Sequence, residues 1–97
     1  MARAVTGSAG HEMPVKVLYF ARLREALDTP SEEIELAPEV RRISDLVTGL
    51  RARGEPWAEE FSGRRRMMVA VNQELADTGT TLRDGDEVAF FPPVTGG

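Results

Sequence analysis

Two short runs of the chain, Val15–Phe20 and Asp86–Phe91, are mostly apolar, and apolar side chains occur in both of their alternating sets. Their length and their β-branched and aromatic content predict strands. Because successive strand residues point to opposite faces of a sheet, each run offers one side to a core. Phe20 and Phe91 fall on the side opposite the one that we expect to meet the core.

Between these two runs, the pattern predicts three helices and three further strands. Asn72-Gln73 and Asp84-Gly85 are typical of tight turns, since Asn and Gly tolerate a positive φ. Pro56 can start a short helix in which Trp57 and Phe61 share a side, and we expect Trp57 to anchor against the core. The remaining elements are the helices Ala21–Leu27 and Asp45–Arg53 and the strands Glu33–Leu36, Met67–Val71 and Glu74–Ala76.

The predicted main helix, Asp45–Arg53, carries signals at both ends. Ser44 is an N-cap candidate, and Asp45 would lie at the positive end of the helix dipole. Gly54 is suited to the C′ position just beyond the helix. Gly49 inside the helix costs about 1 kcal/mol relative to Ala, and we interpret it as the mark of a close backbone approach.

The order of the predicted elements indicates an α+β fold of the β-grasp (ubiquitin-like) class. In this fold a mixed sheet wraps around one main helix, with short helices added. The order is strand, turn, strand, helix, strand, short strand, strand. A fold of this kind does not by itself state a function.

Composition divides the chain into two parts. Residues 1–12 (MARAVTGSAGHE) are rich in Ala, Gly and Ser and show no periodicity, so we expect a disordered leader or a tag-like extension. Residues 13–97 are predicted to form one domain that ends in a flexible tail, 92–97. No apolar run reaches the roughly 18 residues of a membrane span, and no secretory signal is recognisable, so we expect a cytoplasmic protein.

Charge and residue types exclude several kinds of function. The net charge is −4, which does not suggest a nucleic-acid partner. The chain has no cysteine and one histidine, His11, in the leader, so Cys–His or Ser–His catalysis lacks its parts. The acidic residues around Asp84 and Asp86 are interpreted as turn residues rather than metal ligands, and no metal site is predicted. The basic run Arg64–Arg66 fits a solvated loop better than a phosphate-binding patch.

The last eight residues, FFPPVTGG, are the most informative segment. Pro92 cannot donate to a β-ladder, and Pro92-Pro93 favours a stiff polyproline II spacer. Gly96 and Gly97 lack side chains, so they can enter a channel too narrow for a β-carbon. A partner enzyme using ATP could convert the terminal carboxylate to an acyl adenylate and then, with a sulfur donor, to a thiocarboxylate. The alternative is a frayed end without function.

Three segments resemble the MoaD-type small, sulfur-carrying subunits of molybdopterin synthase, which are ubiquitin-like proteins. They are VLYFARLRE at Val17–Glu25, AVNQ at Ala70–Gln73 and LRDGDEVAFFPPVTGG at Leu82–Gly97. The resemblance covers about residues 14–97, and its most specific part is the ending FFPPV-x-GG.

The resemblance implies that Gly97 is the reacting residue. It would be adenylated by a ubiquitin-activating-type adenylyltransferase and charged by a sulfur donor enzyme. The tail, with Pro92, Pro93, Val94 and Thr95, would then enter the large synthase subunit in a heterotetramer. There the thiocarboxylate would give its sulfur to cyclic pyranopterin monophosphate. The small subunit would be non-catalytic and would hold no cofactor permanently.

The resemblance also places docking contacts at Phe20, Leu75 and Phe91. The competing interpretation is that the two aromatic residues are covered internally, by the short helix or the leader. Three other functions stay open: a sulfur carrier of the thiamine pathway, a ubiquitin-like modifier of protein lysines, and an interaction module whose tail is never activated. The stretch Arg41–Arg66 and the FFPP approach to the tail argue against the thiamine carriers, which typically lack both.

Overall fold

A computed structural model describes residues 13–93, in which five strands and three helices follow one another along the chain. This order is that of the predicted β-grasp, α+β fold, which is confirmed. The strands are β1 (Val15–Tyr19), β2 (Ser31–Ile34), β3 (Met68–Val71), β4 (Glu74–Ala76) and β5 (Glu87–Phe91). The helices are α1 (Ala21–Leu27), α2 (Ile43–Arg51) and α3 (Trp57–Glu60). The predicted leader, residues 1–12, lies outside the described residues.

The five strands form one mixed sheet in the order β2-β1-β5-β3-β4. The first and last strands, β1 and β5, are parallel neighbours, with Val17 opposite Val88 and Tyr19 opposite Phe90. All other pairs are antiparallel. Since β5 lies in the middle of the sheet, the chain that follows Phe91 leaves from its centre rather than from an edge.

One face of the sheet carries the core. The alternation in β1 and β5 is confirmed, because Val15, Val17 and Val88 are fully buried and Phe90 is nearly so. The helices contribute apolar side chains to the same cluster, including Leu23 from α1 and Ile43, Leu46 and Leu50 from α2. Trp57 is partly buried and packs against this cluster, as predicted.

Helix α2 begins two residues before the predicted start, so Ser44 is not its N-cap. The N-cap is Arg42, and the amide N–H groups of Ile43 and Ser44 donate to the carbonyl oxygens of Thr80 and Thr78 at 3.0 and 2.9 Å. These contacts from a distant loop satisfy N–H groups that an N-cap side chain would otherwise serve. Asp45 lies in the first turn of α2, and its carboxylate accepts hydrogen bonds from the backbone N–H groups of Arg41 and Arg42.

The C-terminal end of α2 also differs from the prediction. The helix stops at Arg51 rather than Arg53, and Gly54 takes the left-handed conformation, with φ +93°, after two further residues. The interpretation of Gly49 as a close approach is wrong, since a β-carbon added there would meet nothing within 4 Å.

Strand β2 is shifted two residues towards the N-terminus from its predicted range. It pairs with β1 so that Ile34 lies opposite Val15 and Ser31 opposite Leu18. Leu36 lies beyond the strand but still packs against the core. The predicted turn at Asn72-Gln73 is confirmed, with φ values of 51° and 70°. Its two positive φ angles fit a type I′ hairpin turn.

A polar and aromatic network joins β1, β2 and the segment after α2. The Tyr19 hydroxyl donates to Glu32 Oε2 at 2.8 Å, and the Arg53 guanidinium donates to both Glu32 oxygens at 2.9 Å. The same guanidinium lies 4.4 Å from the centroid of the Trp57 ring, a cation–π contact. Burial and the hydrogen bond to Glu32 raise the pKa of the Tyr19 phenol. The hydroxyl therefore stays protonated at neutral pH and keeps donating to Glu32.

This network predicts an acid-dependent loss of stability. Burial alone would raise the pKa of Glu32, but the hydrogen bonds from Arg53 and Tyr19 outweigh it and leave the pKa below the ordinary 4.5. A carboxylate with a lowered folded-state pKa stabilises the fold above its unfolded pKa, and this contribution is lost as the pH falls through the folded value. We expect the free energy of unfolding, measured by urea titration, to fall below about pH 4.5. Glu32→Gln should flatten this fall.

The nearby Glu35→Gln is the matched control, because Glu35 is exposed just beyond β2 and makes no side-chain hydrogen bond or ion pair among residues 13–93. An equal flattening by the two variants would contradict the assignment of the acid sensitivity to Glu32.

Candidate functional site

The face of the sheet opposite the core, called here the outer face, carries an apolar row across four strands. Leu18 of β1 lies opposite Ala89 of β5, Ala89 opposite Ala70 of β3, and Ala70 opposite Leu75 of β4. Opposed residues of neighbouring strands have Cβ atoms about 4.5–5.5 Å apart, which allows side-chain contact along the row. The row is therefore continuous from β1 to the edge strand β4.

A second apolar row lies one step closer to the C-terminal end of β5. Phe91 lies opposite Met68 of β3. On its other side, the amide N–H of Phe20 donates to the carbonyl oxygen of Phe90 at 3.1 Å, which places Phe20 beside β5 just past the end of β1. Together, the two rows form what we call the apolar patch: Leu18, Phe20, Met68, Ala70, Leu75, Ala89 and Phe91.

The other end of the outer face is charged. Lys16 of β1 lies between Glu33 of β2 and Glu87 at the start of β5. Opposite charges that face each other across neighbouring strands stabilise the pairing, and charged side chains stay hydrated. The apolar patch is thus confined to the end of the sheet at which the chain leaves β5.

All three predicted docking residues belong to the apolar patch. Leu75 is 72% exposed and Phe20 46%, while Phe91 is half-buried between its neighbours. Large apolar side chains exposed together are unusual on a monomer surface and indicate an interaction site. The idea that α1 covers Phe20 is wrong, because α1 turns its Leu23 and Leu27 into the core and leaves Phe20 open.

Sequence reasoning missed Met68 and Ala70 as members of this patch. The alternation in β1 and β5 was strong enough to place Leu18 and Ala89 on the outer face. In β3 every residue of the run MVAV is apolar, so alternation does not distinguish the two faces. Only the pairing of Met68 with Phe91 decides which side of β3 faces outwards.

The chain leaves the sheet next to this patch. Pro92 and Pro93 follow Phe91 directly, outside the ladder, and both are half-buried. They thus continue from the C-terminal end of the central strand, where the tail was predicted to begin. The predicted tail residues Val94, Thr95, Gly96 and Gly97 lie outside the described residues.

The acidic segment just before β5 forms a turn at Asp84-Gly85, as predicted. Asp86 accepts from the Asn72 side-chain amide at 3.0 Å and from the backbone N–H of Arg83 at 2.9 Å. Gly85 between the two aspartates has φ +83°. Among residues 13–93, no group of three His, Cys, Asp or Glu side chains is placed to hold a metal ion. Within the same residues, no helix has the length and apolar character needed to cross a membrane.

Comparison with known proteins identifies the family of this chain. A model described as the ThiS family matches residues 17–97. The molybdopterin synthase sulfur carrier subunit of Escherichia coli K12 is 41% identical over 83 residues, 86% of this chain and 99% of that protein. The protein of the same name from Mycobacterium tuberculosis is 43% identical over 84 residues, 86% of this chain and 96% of its own.

Solved structures share the fold. A molybdopterin converting factor subunit 1 from Pyrococcus furiosus has a TM-score of 0.69 at 36% identity, covering 84% of this chain and 99% of its own. A chain in the complex of subunits 1 and 2 of the molybdopterin-converting factor from Helicobacter pylori has a TM-score of 0.61 at 27% identity, covering 88% and 100%. The small archaeal modifier protein 1 from Methanosarcina acetivorans has a TM-score of 0.65 at 27% identity, covering 91% and 100%.

The two curated relatives are aligned over nearly their whole length, and their names agree with the resemblance carried by the FFPPV-x-GG ending. The chain therefore belongs to the ThiS family and, within it, to the MoaD-type sulfur carrier subunits of molybdopterin synthase.

Proposed function

We propose that this protein carries sulfur on the terminal carboxylate of Gly97 and delivers it inside the large subunit of molybdopterin synthase. The observation that carries the proposal is the apolar patch at the C-terminal end of the central strand, where the chain continues into Pro92-Pro93. A docked patch would fix where the tail starts relative to the partner. The folded domain would thus position the tail, and the carboxylate of Gly97 would be the reacting group.

The chemistry needs no catalytic side chain from this protein. A ubiquitin-activating-type adenylyltransferase would join the Gly97 carboxylate to the α-phosphate of ATP and release pyrophosphate. A sulfur donor enzyme would then displace AMP, leaving a thiocarboxylate on Gly97. Inside the large subunit, this sulfur would pass to cyclic pyranopterin monophosphate, and the carrier would return to its carboxylate form. ATP is consumed by the activating partner and is not a cofactor of the carrier.

The length of the tail suits this delivery. From Pro92 to Gly97, an extended chain spans roughly 18–20 Å at about 3.3 Å per residue. The two prolines restrict the first part of the span to extended conformations, which lowers the entropy lost on insertion. Gly96 and Gly97 present no side chain at the narrow end.

The apolar patch is the surface we assign to the large subunit. A relative of the same fold was solved as a complex of subunits 1 and 2 of molybdopterin-converting factor, which supports a two-subunit assembly for this chain. Exposed aromatic residues surrounded by smaller apolar ones are typical of the centre of such an interface. In the heterotetramer that we expect, each small subunit would dock through this patch and place its tail in one large subunit.

The direct test is the intact mass of the carrier after incubation with the activating enzyme, ATP and a sulfur source. Replacement of one carboxylate oxygen by sulfur should raise the mass by about 16 Da. Omission of ATP is the control, and the mass should then stay unchanged. A carrier that never acquires this mass, although the adenylyltransferase charges another substrate in parallel, would contradict the proposal.

A second candidate function is that of a ubiquitin-like protein modifier. It is favoured by the structural similarity to the small archaeal modifier protein 1. The modifier would use the same activated carboxylate but would end in an isopeptide bond to a lysine. Denaturing blots of cell extracts would show discrete conjugates of higher mass, and these should vanish in a chain lacking Gly97.

A further inference from the structure

A cleft lies at the base of the tail, on the side of Pro92 towards α1. Its walls combine apolar and charged side chains, and Pro92 forms part of it. The lining residues are Arg22, Leu23, Glu60, Arg65, Arg66, Met67 and Pro92. Arg65 and Arg66 lie just before β3 in the sequence. The first residue of β3, Met68, pairs with Phe91, the residue before Pro92.

Charge in the cleft is only partly balanced. Glu60 is 5% exposed, and its carboxylate accepts from Arg22 Nη1 and Nη2 at 2.6 and 3.2 Å. This bidentate pair uses most of the capacity of Glu60, and Arg65 approaches it only at 4.0 Å, too far for a hydrogen bond. Arg66 is exposed and forms no ion pair among residues 13–93. The cleft is lined by three arginines and one glutamate, and the nearby Glu59 is paired with Arg64 at 3.0 Å. Positive charge is therefore in excess beside the tail of a chain whose net charge is −4.

We propose that this cleft binds acidic side chains of the large synthase subunit, at the rim of the channel that receives the tail. The proposal rests on the proposed function and adds that the channel entrance of the partner carries acidic residues. Guanidinium groups bind carboxylates with two parallel hydrogen bonds, and an apolar floor such as Leu23 and Met67 strengthens such contacts by excluding water. The cleft and the apolar patch both adjoin the start of the tail, so one partner can cover both.

The length of the tail indicates that the cleft binds carboxylates at the channel entrance rather than the phosphates of a nucleotide. From Pro93 to Gly97 an extended chain reaches about 16–17 Å at about 3.3 Å per residue. An arginine side chain is shorter than this distance. When the carboxylate of Gly97 lies at the reacting phosphate, Arg65 and Arg66 therefore remain at the mouth of the channel. There they would meet the partner's surface and not the phosphates of ATP.

Arg66→Glu is the sharpest variant, because Arg66 supports no ion pair in the described fold, whereas Arg65→Glu would place a carboxylate near the buried Glu60. The control is Arg51→Glu, an equal change of charge at an exposed position of α2 that does not line the cleft. Association rates with the purified large subunit are measured by stopped flow over a series of salt concentrations. Rates with the activating enzyme are measured in parallel, with and without ATP. Thermal unfolding, followed by Trp57 fluorescence, verifies that each variant is folded.

We expect Arg66→Glu to slow association with the large subunit about five- to tenfold at low salt. The difference should shrink below about twofold at 0.5 M salt, where charges are screened within a few ångströms. Arg51→Glu should stay within about twofold of wild type throughout.

Two results would overturn the proposal: equal rates and salt slopes for Arg66→Glu and Arg51→Glu with the large subunit, or an effect of Arg66→Glu that is confined to the activating enzyme in the presence of ATP. The second result would assign the cleft to phosphate. If the wild-type chain is thiocarboxylated and binds its large subunit, such results leave the proposed function intact. If the wild-type chain does neither, the proposed function fails and this inference fails with it.

Discussion

Deletion of Gly97 is expected to abolish sulfur transfer and to leave the free energy of unfolding unchanged. The deletion moves the carboxylate back by about 3.5 Å. A misplacement of even 1 Å can cost about 100-fold in rate when reacting groups must meet in a fixed geometry. The fold should not respond, because the buried cluster is built from side chains between Val15 and Phe90 and a glycine has no side chain to contribute.

The measurement is the formation of molybdopterin in a reconstituted reaction with the large subunit, the activating enzyme, ATP and a sulfur source. Deletion of Ala2 is the matched control, since it removes one residue at the other end of the sequence, outside the 17–97 match to the family. Urea titration of both variants establishes that stability is unaffected. A Gly97-deleted chain that still produces molybdopterin at the wild-type rate would show that the transfer does not depend on the reach that Gly97 provides, and the proposed delivery by the tail would be wrong.

Phe91→Arg is expected to weaken binding to the large subunit by about 2 kcal/mol or more, roughly 30-fold in Kd. Phe91 lies at the centre of the second apolar row, between Met68 and Phe20, and next to the start of the tail. A guanidinium placed there would be buried without a partner when the patch is covered. Phe91 is opposite the core, so the buried Phe90 and its contacts should stay in place.

Ala52→Arg is the matched control for this change, because it introduces the same charge at an exposed position just after α2, away from the outer face. Isothermal titration with the purified large subunit gives both dissociation constants. A wild-type Kd for Phe91→Arg would place the interface elsewhere on the domain. A parallel loss of thermal stability in Phe91→Arg alone would assign the effect to folding.

Much of the fold could be predicted because several local signals agreed with the final structure. The alternation in β1 and β5 identified the buried Val17, Val88 and Phe90, since the period of a strand is the same wherever it pairs. The Asn72-Gln73 turn was predicted because few residues accept positive φ.

The errors lie where a distant segment replaced a local signal. Ser44 has the chemistry of an N-cap, but the Thr78 and Thr80 carbonyls of a loop more than thirty residues away satisfy the first amides of α2. Strand β2 was placed two residues late, because only its pairing with β1 fixes where it starts. Gly49 was interpreted as a site of close backbone approach, whereas the space around it is open.

For the candidate site, the sequence by itself determined the chemistry. The Pro-Pro-x-x-Gly-Gly ending and the lack of cysteine follow from residue types alone, and they leave a main-chain carboxylate as the candidate reagent. Alternation within β1 and β5 was likewise enough to turn Phe20 and Phe91 away from the core. Both kinds of information are local, so no partner segment is needed to read them.

The tertiary structure decided what surrounds that tail. Strand register joined Phe20, Phe91 and Leu75 to Met68 and Ala70 in one apolar patch, and long-range ion pairs such as Arg22–Glu60 shaped the cleft beside Pro92. These neighbours come from segments far apart in the chain. Their contacts depend on how the strands pair and where the helices pack, which local residue patterns do not encode.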